Sequence, residues 1–403
     1  MLSAYKFRLS PTIKQSEFLD RNFGACRFVW NQFVSSFNKS VVGPYLPQNE
    51  KYLKDIPAYS FLNGVISYAL QQKRIDFDQT KKQYFSKIRK KKLGRPSFKK
   101  KGVSNDSFRI PYASMSMNSV DLDNGRLKLP KMSSIKMIVD RRFSGEIKSV
   151  TVSKNKCNQY FVSILVETKK ELKPTTGKVV GIDLGFKDLA TLSDGIKFTN
   201  PKLFRETQSK LKVAQQHLSR KVYGSNRYIK QKYKVAKIHQ KISNQRNFIH
   251  HNLSTWLVEN YDVIILEDLN VAGMKKLLGK STSDASLASL ITMIEYKCEW
   301  YGKTFHKIDR FYPSSKLCSC CGIKNANLKL SDRTWKCENC NTVLDRDLNA
   351  SYNILNKGLI DLYSFTSEEL SDYRRGESVN PQGILNSLKV DSMKRLANFI
   401  NLQ

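Results

Sequence analysis

The sequence predicts an α+β multidomain chain: a helical lobe and a small β-barrel, followed by an α/β sheet domain interrupted by a metal ribbon. Three observations carry this prediction. Apolar residues recur at helical spacing through most of the first hundred positions, and they alternate with period two between residues 107 and 170. Beyond Pro174-Thr175-Thr176-Gly177 they fall into strands alternating with helices. A chain of 403 residues has room for two or three such packed bodies.

The opening Tyr5-Lys6-Phe7-Arg8-Leu9 alternates as a short strand that stops at Pro11. Leu19, Phe23, Cys26, Trp30, Phe33 and Phe37 then follow at spacings of four and three, one buried helix face. Pro44, Pro47 and Pro57 break the chain. A second helix is expected from about Tyr59, with Ile66, Leu70, Phe77, Tyr84 and Ile88 on one side. Its end is densely basic: Lys87 to Lys101 holds nine Lys or Arg and no acid. Pro96 rules out a continuous helix there, and Lys99, Lys100 and Lys101 become candidates for gripping a phosphate backbone, with a solvated surface as the alternative.

The period-two segments Ser107 to Ile110, Arg126 to Leu129, Ile135 to Ile138, Ser149 to Ser153 and Gln159 to Val166 read as a small antiparallel barrel or sandwich. The next domain opens with the strand Lys178 to Asp183, and two short strands follow near Leu189 to Leu192 and Ile196 to Thr199. Basic helices run from about Asn200 to Glu259, broken at Gly224-Ser225-Asn226. The strand Tyr261 to Leu266, the helix Ser286 to Tyr301, the strand Thr304 to Ile308, a cysteine-rich insertion and a helix near Asp347 complete the order βββ-α-β-α-β-α. That order matches an RNase H-like fold, in which the first and fourth strands are parallel neighbours.

Composition limits the partners. Against 35 Asp and Glu stand 69 Lys and Arg, a net charge of +34, which points to an acidic polymer. Aromatic residues at 11% interleave with the basic ones and favour nucleic acid over a membrane surface. No apolar run approaches the roughly eighteen residues of a membrane span, and the N-terminus lacks the apolar core of a secretory signal. A cytoplasmic, nucleoid-associated location is expected. No G-x-x-x-x-G-K-[ST] occurs, which excludes nucleotide hydrolysis through a P-loop.

Five of the eight cysteines crowd between Cys318 and Cys340, too uneven for a disulfide scaffold and suited to a reduced compartment and a bound metal. Cys318, Cys321, Cys337 and Cys340 form two C-x2-C knuckles at zinc-ribbon spacing, with Cys320 the spare. One structural Zn²⁺ is expected. Arg333 and Trp335 beside the ribbon are candidates to pair with or stack on nucleic acid, with packing against the small zinc core the alternative. Cys26, Cys157 and Cys298 lie in apolar periodic contexts and read as core; His250 and His251 read as solvent-facing or phosphate-facing.

Three carboxylates sit at element ends: Asp183 after the first strand of the sheet domain, Glu267 after the fourth, and Asp345 or Asp347 at the start of the last helix. Side by side, such acids repel one another and call for cations. Clusters of this kind hold two Mg²⁺ about 4 Å apart that activate a water and stabilise the leaving oxygen of a phosphodiester.

Gly181-Ile182-Asp183-Leu184-Gly185, Leu266-Glu267-Asp268-Leu269-Asn270-Val271-Ala272-Gly273-Met274, Ser314-Ser315-Lys316 before the cysteines, and Asp345-Arg346-Asp347-Leu348-Asn349-Ala350-Ser351 together resemble the TnpB family. Its members are transposon-encoded RNA-guided DNA endonucleases, similar to the smallest type V CRISPR effectors. Tyr5 to Leu9 and Phe23 to Asn31 also fit its opening. The resemblance implies that Asp183, Glu267 and Asp347 are the catalytic, Mg²⁺-binding triad of a RuvC-type nuclease domain. It further implies partners, a guide RNA and target DNA, and a short duplex motif read by the protein, with base pairing supplying most specificity.

The implied organisation is a wedge domain at 1–10 and 96–174, a helical recognition domain at 11–95, a nuclease domain at 178–316 and 341–358, and a ribbon at 317–340. The tail at 359–403 receives no function, and no oligomeric state is assigned. The alternatives are a DNA-binding protein of similar build that represses or assists a transposase without cutting, and a strand-transfer transposase. The unsubstituted acids favour cutting.

Overall fold

The computed structural model describes residues 1–39, 50–86, 94–116, 118–169, 171–201, 203–270, 286–329 and 331–363. The chain divides into two compact units, Met1–Lys169 and Lys170–Gln403. Among the described residues no helix is long and apolar enough to cross a membrane.

The first unit is built round β1 (Leu2–Ser10), whose alternation buries Phe7 and Leu9. Beside it run β7 (Tyr160–Glu167) and β5 (Ile135–Ile138), both antiparallel to it. With β2 (Asp106–Pro111), β3 (Val120–Asp121), β4 (Arg126–Leu127) and β6 (Glu146–Lys154) they make a seven-stranded sheet in the order β2-β6-β7-β1-β5-β4-β3. The expected barrel is therefore open, a half-barrel with β2 and β3 at its edges. β3 and β4 hold two residues each, too short to carry the ladder round to β2.

Helices α1 (Ile13–Lys39) and α3 (Ser67–Phe85) pack against each other and against β2, and a short α2 (Glu50–Asp55) lies between them in the chain. Leu19, Phe23, Val29, Phe33, Leu70 and Phe77 share one hydrophobic core with Phe108, Ile110, Val152 and Ile164 of the sheet. Phe77 anchors this core, its ring 5.4 Å from Trp30 and 5.6 Å from Phe33. The helix expected from Tyr59 starts only at Ser67. Pro57–Gly64 is a 3-10 turn, and Ile66 is extended, its N–H donated 2.9 Å to Oδ1 of buried Asn22. Ile88 lies outside the described residues.

The second unit carries a five-stranded sheet in the order β10-β9-β8-β11-β12, from β8 (Val179–Asp183), β9 (Asp188–Leu192), β10 (Lys197–Thr199), β11 (Val263–Glu267) and β12 (Thr304–Ile308). β8, β9 and β10 are antiparallel, while β11 runs parallel to β8 and β12 parallel to β11. The nearly continuous apolar runs of β8 and β11 are explained by cover on both faces. On one face lie α5 (Asn226–Asn260), preceded by α4 (Leu203–Ser219), and α6 (Leu287–Tyr301); Leu253, Leu257, Leu290 and Ile294 meet Ile264 and Leu266 there. On the other, α7 (Arg346–Tyr363) packs Ile354, Leu355 and Leu359 on Val263 and Ile265.

Gly181 sets how close α7 comes. A Cβ there would stand 2.3 Å from the Ser351 carbonyl oxygen and 2.5 Å from the Leu355 nitrogen. No side chain fits, and the helix lies against the strand backbone. His250, expected at the surface, is buried on α5 one residue from exposed His251, because 250, 253, 254 and 257 share the inward face.

Candidate active site and metal centre

Asp183 ends β8 and Glu267 ends β11. The two strands are parallel with Ile182 beside Leu266, so the acids leave adjacent strand ends on the same edge of the sheet. Asp347 enters from the first turn of α7, the helix that Gly181 draws onto β8. The three are electrostatically linked. The Asp183 carboxyl is pushed up to about 7, first by burial and then by the negative charges of Asp347 and Glu267, with Arg346 opposing. Burial also raises Glu267, while Ser314 Oγ, 3.4 Å from its Oε2, works the other way.

Asp345 has a different job in the structure. Its Oδ1 accepts the N–H groups of Asp347 at 3.1 Å and Leu348 at 2.9 Å, capping α7. Its Oδ2 pairs with Lys197 at 2.8 Å. Burial opposes its charge, but Lys197 and the two backbone donors outweigh that and hold the carboxyl below its ordinary range. Asp347 instead has its Oδ2 3.4 Å from the exposed guanidinium of Arg333.

The ribbon brings Cys318, Cys321, Cys337 and Cys340 together, with all four sulfurs within 4.8 Å of one another. Cys318 and Cys340 approach to 3.5 Å, Cys321 and Cys337 to 3.6 Å. Cys320 points outward, exposed. The thiols differ in their surroundings: hydrogen bonding at Thr342 draws Cys340 down to about 6 and the Ile323 backbone N–H lowers Cys321, whereas burial raises Cys318. Four thiolates at this closeness suit one tetrahedral ion.

Trp335 is not available for stacking on nucleic acid. It lies on β13 (Thr334–Lys336), which pairs with β14 (Val343–Asp345), and is buried with Leu328, Leu344 and the cysteines in the ribbon's own small core. Lys99 also departs from the expected phosphate-gripping role. Its ammonium sits 3.7 Å from the Trp30 ring centroid, and burial, then Lys73, pushes it down to about 8. The segment is strapped to α1, with Trp30 Nε1 donating to the Ser97 carbonyl and the Lys99 N–H donating to Asn31 Oδ1. Lys100 and Lys101 stay exposed.

Asn349 and Asn353 were missed by sequence reasoning. Buried on α7, Asn349 accepts the Ser319 N–H at 2.8 Å and donates to the Leu317 carbonyl at 2.7 Å; Asn353 donates to the carbonyls of Ser314 and Leu317. They tie the first cysteine knuckle to the helix carrying Asp347. The available signal was two asparagines four residues apart on one helix face, each followed by an apolar residue, Ala350 and Ile354.

Residues 162–278 match a family model described as "Probable transposase", and residues 288–354 match "Cas12f1-like, TNB domain". Residues 1–40 match a model described as "Helix-turn-helix domain", although here they form β1 and the single long helix α1. A Streptomyces pristinaespiralis protein named "Putative RNA-guided DNA endonuclease" is 36% identical over 371 residues, 88% of this chain and 89% of its own. Another so named, InsQ of Escherichia coli K12, is 31% identical over 382 residues, 89% of this chain and 92% of its own. A shorter match, 35% over 133 residues, covers 30% of this chain and 45% of a TnpB-like protein of Methanocaldococcus jannaschii. The fold is shared with the protein in a solved Cas12f1–sgRNA–target DNA complex, at a TM-score of 0.51 and 16% identity over 86% of this chain and 83% of that one. With the acids, the ribbon and relatives spanning nearly the whole length of both chains in agreement, the chain belongs to the TnpB family.

Proposed function

We propose that the protein is an RNA-guided DNA endonuclease of RuvC type, cutting DNA beside a short motif with Asp183, Glu267 and Asp347 as its metal-binding acids. The observation that carries this reading is the convergence of three carboxylates: Asp183 and Glu267 leave adjacent parallel strand ends, and Asp347 enters from the first turn of the helix packed on β8. Burial, then the charges of the other two acids, raises the Asp183 carboxyl accordingly. A carboxylate cluster held on a rigid sheet edge and strained by its own charge suits divalent cations. When bound, two Mg²⁺ would activate water and stabilise the leaving oxygen of a phosphodiester.

The chain's own contribution is positional. β8 and β11 fix two carboxylates side by side, the Asp345 cap fixes the first turn of α7, and Ser314 orients Glu267. Arg333, exposed beside Asp347, is within reach of a phosphate entering the site. The four cysteines would hold one structural Zn²⁺, and Asn349 and Asn353 pass the ribbon's order on to α7. The first unit, with exposed Lys100 and Lys101, is assigned to gripping guide RNA and reading the adjacent motif.

The test is direct. Protein purified with its own RNA, given Mg²⁺, should cut double-stranded DNA that matches the guide and spare DNA that does not. Tight binding without any cutting would favour the binding-protein alternative.

A further inference from the structure

Residues 207–258 contain eleven Lys or Arg and no Asp or Glu. Within them, Arg227, Lys230, Lys234, Lys237 and Lys241 recur at spacings of three and four, so they form one stripe along α5, and all five are exposed. The stripe one residue on, Tyr228, Gln231, Val235, Ile238 and Ile242, is half-buried to buried. Gln231 Nε2 donates 2.9 Å to the Ala214 carbonyl, which turns that face toward α4. Helices α4 and α5 thus make a hairpin arm with a cationic outer edge, about 21 Å long from Arg227 to Lys241.

The arm's direction follows from its root. α5 passes into β11 through two residues, and Ile249 to Val258 pack on the sheet face. The helix therefore runs back alongside the strand. That packed stretch spans about 14 Å against about 17 Å for the five-residue strand. Residues 226–241 consequently extend past the carboxyl ends of β8 and β11, the edge that holds Asp183 and Glu267.

At the tip, Gly224 turns the chain with φ of +81°, and Tyr223 is 85% exposed, its ring 5.1 Å from that of Tyr228. An aromatic face offered to solvent at the end of a cationic stripe suits an unpaired base, since bases in a duplex are already stacked on one another.

We propose that the α4–α5 arm is a rail for single-stranded DNA, holding the strand that leads into the acid site: the five cations track its phosphates and Tyr223 stacks on a base. This rests on the nuclease reading above, which makes DNA the strand at those acids.

The test uses full-length protein purified with its own RNA and carrying Asp183→Ala, so that nothing is cut. Binding to dye-labelled oligothymidine is measured across a range of salt. Replacing Arg227, Lys230, Lys234, Lys237 and Lys241 together by Gln should weaken binding at least tenfold and flatten the slope of log affinity against log salt by up to about 3.5, at about 0.7 per phosphate contact. Tyr223→Ala should weaken binding about tenfold with the salt slope unchanged. RNA content per protein should be the same in all variants. Unchanged oligothymidine binding would overturn the proposal, and so would loss of copurified RNA from the five-Gln variant, which would make the stripe a guide-RNA surface. Because no arm of the test reads cutting, its failure is separable from failure of the nuclease reading.

Discussion

The last cysteine, Cys340, and the last acid, Asp347, sit a few residues apart on either side of β14, yet the two sites they belong to are assembled in contrasting ways. Every cysteine ligand comes from between Cys318 and Cys340, on two short knuckles whose sulfurs converge within 4.8 Å. The acids come from positions 183, 267 and 347 and meet only because β8 lies parallel to β11 and α7 lies against β8. The first site would rely on a bound ion for local order, since its apolar core amounts to little more than Leu328, Trp335 and Leu344. The other depends on the sheet behind it. Damage to the fold should therefore reach the acids first, and loss of zinc should reach the ribbon first.

The largest effect is expected from Gly181→Ala. The added methyl would overlap the Ser351 carbonyl and the Leu355 nitrogen, both backbone atoms of a packed helix. About 3 kcal/mol or more of destabilisation should follow as α7 is pushed off β8. Urea unfolding would measure it, and zinc should remain bound in the folded fraction.

Cys337→Ser should give the converse. Zinc content falls below half an equivalent by elemental analysis, protease sensitivity appears between residues 317 and 345, and the urea midpoint of the sheet changes little. Full zinc occupancy in that variant would break the comparison.

A smaller, pH-dependent effect should separate the acids from the cysteines. The folded carboxyl of Asp183, raised to about 7, binds a proton more tightly than in the unfolded chain, where the value is ordinary. Stability from this group is thus full at acid pH and is lost as pH rises toward about 7. Asp183→Asn removes that loss. The variant should gain on the parent above pH 7 in metal-free buffer, by at most about 4 kcal/mol for a carboxyl raised from 3.8 to about 7, and the gain should vanish near pH 4. Equal stabilities across the range would mean that the Asp183 carboxyl is not raised in the folded chain.

What the sequence made legible follows the same division. C-x2-C spacing is local chemistry, and the strands ending in Asp183 and Glu267 announce themselves by unbroken apolar runs closed by a charge. Features set by tertiary contact were hidden. Asn22 captures the Ile66 N–H and so delays α3 to Ser67. Lys99 looks like any surface lysine until Trp30 is placed beneath it. Trp335 is recruited into a core too small to be seen as hydrophobic periodicity. The half-barrel and its helices share one core that no single segment reveals. The choice between Asp345 and Asp347 was likewise beyond spacing alone, and it is the cap and the Lys197 pair that distinguish their surroundings.

That choice offers the most direct measurement. Cleavage of guide-matched DNA by RNA-loaded protein with Mg²⁺ should be compared for the parent, Asp347→Ala and Asp345→Asn. Asp347→Ala should abolish cutting while DNA binding is retained, because the proposed metal site loses a ligand and the proposed nucleic-acid contacts lie elsewhere. Asp345→Asn should keep most of the activity, since an amide oxygen still caps α7. An inactive Asp345→Asn beside an active Asp347→Ala would contradict the assignment of the third acid, and unimpaired cutting by both would contradict the site itself.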